Sequence, residues 1–134
     1  MNAKVNWVNP EKTVLHFEYS VGWSWEDAFM AVQQSMQMMD AIDHPIATIV
    51  DLTASSKLPA DPMNALGKIV ENRATHPNDS GITIFLNAEV LTKAMLDYIQ
   101  LGNPEAAQFV EFVHAKTLDE AINKATALLE TQEA

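Results

Sequence analysis

The chain has no cysteine, four glycines and one arginine among 134 residues. Without cysteine there is no disulfide framework, no thiolate metal ligand, no iron–sulfur site and no thiol nucleophile. The glycines form neither a phosphate-cradling loop nor a Gly-x-Ser-x-Gly nucleophile elbow. Basic residues are scarce: eight Lys plus Arg stand against eighteen Asp plus Glu, a net charge of −10. A nucleic-acid surface needs clustered cations to displace counterions, so nucleic acid is not an expected partner, and anionic membrane surfaces are disfavoured for the same reason. No apolar run approaches the ~20 residues of a membrane span. The opening Met1-Asn2-Ala3-Lys4 leads into alternation, not an apolar signal core. The expected compartment is the cytoplasm.

What is present suits a globular chain. Apolar residues make up 48%, and a single domain over 1–134 would bury roughly two-thirds of the unfolded surface. Turn residues punctuate the sequence at Asn9-Pro10, Gly22, His44-Pro45, Leu58-Pro59, His76-Pro77-Asn78-Asp79-Ser80-Gly81 and Gly102-Asn103-Pro104. Between them the apolar period changes. Val5 to Val8 and Thr13 to Tyr19 alternate as strands. Ser24-Trp25-Glu26-Asp27 reads as a capping box for a helix with Trp25, Phe29, Val32, Met36, Met39 and Ile42 inward. Ile46 to Leu52 is a near-continuous apolar run, as in a strand buried on both faces. Asp61-Pro62 supplies an N-cap and first-turn proline for a helix carrying Ala65, Leu66, Ile69, Val70 and Arg73. Ile82 to Leu86 and Phe109 to Val113 are further strands. Asn87 caps a third helix that stops at Gly102, and Thr117-Leu118-Asp119-Glu120 opens the last. The order is β-β-α-β-α-β-α-β-α. It implies an α/β fold with one mainly parallel five-stranded sheet covered by four helices.

Four short segments carry a family resemblance. They are Gly22-Trp23-Ser24-Trp25-Glu26-Asp27, Ile49-Val50-Asp51-Leu52-Thr53, His76-Pro77-Asn78 and Thr117-Leu118-Asp119-Glu120-Ala121. On these the chain resembles the STAS fold of bacterial anti-sigma-factor antagonists, in its SpoIIAA-like branch. The resemblance implies a regulatory domain that works by binding another protein. The family's phosphorylated serine opens the helix where this chain has Asp61-Pro62; Ser55 and Ser56 come earlier and lack the accompanying glycine. Kinase control is therefore not implied. The likeness of some branch members to lipid-carrying SEC14-like domains implies a second role, binding a small apolar ligand.

In an open parallel sheet, ligands bind beyond the carboxyl ends of the strands. That edge would gather Asp51, Thr53, Ser55, Ser56, Asn87 and His114. Asp51 orienting His114 would make a general-base pair, as a small hydrolase needs. The same residues also read as a loop-satisfying aspartate, a helix cap and an exposed histidine. The histidines (His16, His44, His76, His114) form no His-x-His or His-x-x-x-His pair, so no metal site and no cofactor is expected. His44 and His76 precede prolines at helix exits, where an imidazolium suits the negative helix end. Met30 and Met38 fall off the inward stripe of the first helix. With Trp23 and Trp25 they are the interface candidates, in a homodimer or toward another protein; with Met63 and Met95 they would instead line an apolar pocket. The expected function is non-catalytic protein binding. Apolar-ligand carriage is the alternative, and an enzyme using Asp51 and His114 the third reading.

Overall fold

The computed structural model describes residues 2–54, 58–86 and 89–133, with backbone alone at 89–92, 106 and 133. Five strands, β1 (Ala3–Trp7), β2 (Val14–Tyr19), β3 (Ile46–Asp51), β4 (Asp79–Leu86) and β5 (Glu111–Ala115), form one sheet in sequence order. The first pair is antiparallel and the other three are parallel. Asn9 ties the β1–β2 turn: its Nδ2 donates to Thr13 Oγ1 at 2.6 Å and its Oδ1 accepts the Thr13 N–H at 3.1 Å.

The helices are α1 (Trp25–Asp40), α2 (Pro62–Ala74), α3 (Glu89–Gly102), α4 (Pro104–Ala107) and α5 (Leu118–Glu133). Four have at least thirteen residues; α4 is a single turn that the sequence pattern did not announce. Right-handed crossovers repeated in one direction put successive helices on the same face. Accordingly α1, α2 and α3 share one face, packing Ala28, Val32, Leu66, Val70 and Ile99 on Leu15, Phe17 and Phe85. On the other face α5 lays Ala121, Ala125 and Leu129 on Ile49, Ile82 and Ile84. The two alanines are fully buried and let the helix lie close to the strands.

Local chemistry sets the ends. Ser24 Oγ accepts the Asp27 N–H at 3.2 Å while Asp27 accepts the Ser24 N–H at 3.0 Å, a complete capping box. At the other end of α1, Asn78 Nδ2 donates to the carbonyls of Met39 and Ile42. His76 Nδ1 accepts the Asn78 N–H, so the ring proton sits on Nε2, facing Asp40 at 2.8 Å. His76 thus works from a distance on the first helix, not on its own helix end.

Several expectations are corrected. Asp61 does not cap α2 through its side chain: its backbone is left-handed at φ 59, whereas a capping carboxylate needs an extended backbone to turn toward the first turn. Helix α3 does end at Gly102, and a side chain there is excluded by proximity as well, since a Cβ would lie 2.8 Å from Met63 Cγ and from the Met63 carbonyl oxygen. The α1 face on the sheet is Ala28, Ala31, Val32, Ser35 and Met39; Trp25, Met36 and Ile42 flank it. Small side chains seat the helix and the large ones wrap its sides. Strand β5 starts two residues late, because Phe109 and Val110 spend their apolar surface on the connector's packing. Strand β4 starts early, at Asp79, because a bulge hides its polar first residues. Ile46 pairs with Asp79 but Thr48 pairs with Thr83.

Gly81 makes that bulge possible. Its φ is +81, and a Cβ would collide with the Phe109 carbonyl oxygen. Gly81→Ala is expected to destabilise the fold by about 2 kcal/mol or more, from the left-handed backbone plus the collision. Urea unfolding of the two proteins reads this; an unchanged midpoint would contradict it.

Candidate functional site

At the carboxyl end of β3, Asp51 is held by three groups. Its Oδ1 accepts the Thr53 N–H at 2.9 Å and the Thr53 hydroxyl at 2.6 Å, and its Oδ2 lies 2.9 Å from His16 Nε2. Burial pushes the Asp51 carboxyl upward, but the hydrogen bonds from Thr53 and His16 outweigh it and hold the pKa below the ordinary carboxylate value. His16 comes from β2, next to β3 in the sheet, and its Nδ1 lies 3.4 Å from Glu18 Oε1. Both ring nitrogens therefore face a carboxylate. This arrangement clamps β2 to β3 and leaves neither nitrogen open as a base.

His114 is not Asp51's partner. Strand β4 lies between their strands, and successive residues point to opposite faces. Asp51 shares the α5 face with Ile49, whereas His114 shares the opposite face with its register partner Phe85. The general-base pair of the hydrolase reading is thereby corrected. His114 lies inside β5, not in a loop, and its Nε2 is buried with no hydrogen-bond partner among the described residues. Ser55, Ser56 and Asn87 lie outside the described residues. Of the candidate edge cluster, Asp51 and Thr53 come together and His16 joins them. Alternation on β2 already separated His16 from the inward Leu15 and Phe17, but only the strand pairing identifies its partner.

The interface candidates are also redistributed. Trp23 is only 7% exposed. Its ring packs 4.6 Å from Tyr19 and edge-on to Trp25 at 5.0 Å, and Trp25 Nε1 donates to the Ala60 carbonyl at 2.7 Å. Both indoles spend their surface within the chain. Met38 packs against the core, and Met30 alone of the four keeps a substantially open side chain, at 49%.

The tryptophans instead border a cavity of about 50 Å³ between the sheet and helices α1, α2 and α3. Phe17, Phe85 and Phe112 form its sheet side; Ala28, Val32, Leu66, Val70, Met95 and Ile99 form its helical side. By the ~10–15 Å³ needed per water-sized centre, it has room for about four small atoms. Most of the wall is apolar, and among the described residues Arg73 is the one charged residue on it. The Arg73 guanidinium is bidentate to Asp79, Nε to Oδ2 at 2.8 Å and Nη2 to Oδ1 at 3.0 Å, and Nη1 donates to Thr83 Oγ1 at 3.0 Å. Its Cζ sits 5.9 Å from the Phe109 ring centre. The apolar spacing of the second helix placed Arg73 inward; what it could not supply was Asp79.

Among the described residues no three His, Asp or Glu side chains are placed to hold a metal ion. No helix among them is long and apolar enough to cross a membrane. Comparison with protein-family models, curated proteins and solved structures finds no match for the chain.

Because its native pKa is lowered, Asp51 contributes stability that is present above the ordinary carboxylate pKa of ~3.9 and lost as pH falls through the lower native value. Asp51→Asn is expected to cost about 1 kcal/mol at pH 7, allowing for partial exposure. The gap from the parent protein should narrow below pH ~4. Thermal unfolding across pH 2.5 to 7 reads the difference; a gap that stays constant would show that the charge on Asp51 does not matter.

Proposed function

We propose that the chain is a non-catalytic cytoplasmic module that binds a small apolar ligand between its helical layer and its sheet. The carrying observation is the aromatic- and aliphatic-lined cavity beneath Trp23 and Trp25. Interiors are close-packed and leave few voids larger than a water molecule. A gap of this size, lined by six aromatic rings (Phe17, Tyr19, Trp23, Trp25, Phe85 and Phe112), is therefore a notable departure. Ligand sites are concave and mostly apolar, with few polar groups. The resemblance to the SpoIIAA-like STAS branch, through its lipid-carrying SEC14-like comparison, supports the same role. The engagement of both His16 nitrogens supports a binding role over catalysis.

Ala28 is fully buried on the cavity wall. Ala28→Leu is expected to fill the space from the helical side. Native mass spectrometry of freshly purified parent protein should show a fixed excess mass that denaturation releases, and the variant should lack it. A bare chain mass from several expression hosts, with no methyl shifts at Val32, Val70 and Ile99 under xenon pressure, would contradict the proposal.

A regulatory protein-binding role is the second reading, and one surface favours it. Met63, Tyr98 and Leu101 are 44%, 36% and 74% exposed. Tyr98 and Leu101 are one helical turn apart on α3, and neighbouring Gly102 lies against Met63 of α2. This patch presents three exposed apolar side chains to a protein partner or a second copy of the chain, whereas of Trp23, Trp25, Met30 and Met38 only Met30 is exposed. If it joins two copies, Leu101→Asp shifts a dimer to monomer in light scattering. A parent protein that is monomeric at every concentration leaves only a different protein as its partner.

A further inference from the structure

We infer that the cavity selects an uncharged ligand with an apolar body and one hydrogen-bond acceptor, such as a small ketone, held at a polar end formed by Tyr19, Thr48 and Arg73. The inference rests on the ligand-binding reading above and narrows it to a chemical class.

Four polar residues on the wall are more than nine-tenths buried: Tyr19 at 8% exposure, Thr48 at 4%, Arg73 at 6% and Thr83 at 1%. Arg73 spends three of its five N–H groups, two on Asp79 and one on Thr83. Among the described residues, the hydroxyls of Tyr19 and Thr48 have no hydrogen-bond partner, and neither oxygen is completely buried although both residues line the cavity. Burial raises the Tyr19 phenol above its ordinary pKa, and the Arg73 charge opposes that rise, so the phenol is protonated and lies within reach of the guanidinium's field. Thr48 is the register partner of Thr83, which itself accepts from Arg73. These polar groups therefore gather near Arg73.

The inventory is rich in donors. Two hydroxyls donate or accept, and the guanidinium only donates. Buried polar groups without partners are costly, so they reward a ligand that completes them. They call for an acceptor. Charge narrows the class further. Arg73 is already neutralised by bidentate Asp79, and among the described residues no other cationic residue lines the cavity. A carboxylate would enter a low-dielectric space beside an existing carboxylate without a free counter-charge. A carbonyl carries no such cost.

The test uses the full chain and three probes of four heavy atoms each, matched to the cavity's size: acetone, isobutene and acetate, each titrated by methyl NMR. Acetone should bind at least as tightly as isobutene despite leaving more water behind, and acetate should bind most weakly. The double variant Tyr19→Phe, Thr48→Val should weaken the ketone about tenfold and leave the hydrocarbon within about twofold. Retained hydrocarbon binding shows that the variant is folded with its cavity intact. Equal loss of both probes, or none for the ketone, overturns the polar-end assignment while the ligand-binding reading stands. Preference for the carboxylate overturns the uncharged class. If no probe shifts any cavity methyl, both the inference and the reading beneath it fall.

Discussion

The buried pair of Arg73 and Asp79 is the constraint around which the rest of the structure is arranged. Asp79 side-chain exposure is 2% and that of Arg73 is 8%, so both charges have left water. A buried ion pair is weak evidence of net stability, because apolar replacements of the same shape often do as well. Its value lies in geometry. Two parallel N–H···O bonds fix one orientation of α2 against the start of β4. Asp79 Oδ1 also accepts the Gly81 N–H at 3.0 Å, which holds the bulge that aims the carboxylate inward. Thr83 passes the network to the central strands, and Phe109 lies against the guanidinium beneath the β5 connector.

The two faces of the sheet are packed by different rules. The α5 face joins alanines to isoleucines and valines, several with no exposed surface, and closes tightly. The opposite face mixes small residues such as Ala28 with large rings such as Trp23, Trp25, Phe85 and Phe112. Phe85 and Phe112 stack nearly parallel, 5.1 Å apart, and present a flat wall. Flat rings against a small-residue helix leave a gap, and Arg73 stands on its wall. The same interaction that anchors α2 thus supplies part of the cavity's polarity.

Much of the fold was legible because it rests on local chemistry. The Ser24–Asp27 box, the period of two in β2 and the apolar run of β3 each state their structure within a few residues. The bulge was not legible. Asp79-Ser80-Gly81 reads as a turn, and only Asp79's pairing with Arg73 on the preceding helix makes it strand. The same limit governed the site. Asp51 was identified as a strand-end carboxylate held by its loop, as Thr53 shows. Its imidazole partner comes from β2 and not from β5, because side-chain partners follow strand order and face, which no short motif encodes. Short motifs make Trp23 and Trp25 interface candidates; the cavity they help to line exists only once three helices share one face.

The most direct measurement of this account is a double-mutant cycle on Arg73→Met and Asp79→Leu, read by urea unfolding. Each single variant strands a buried charge and should cost about 3–5 kcal/mol, while the double variant should cost at least about 2 kcal/mol less than their sum. Costs that add within about 0.5 kcal/mol would mean that the two side chains act independently, and that the fold and its cavity are organised around something else.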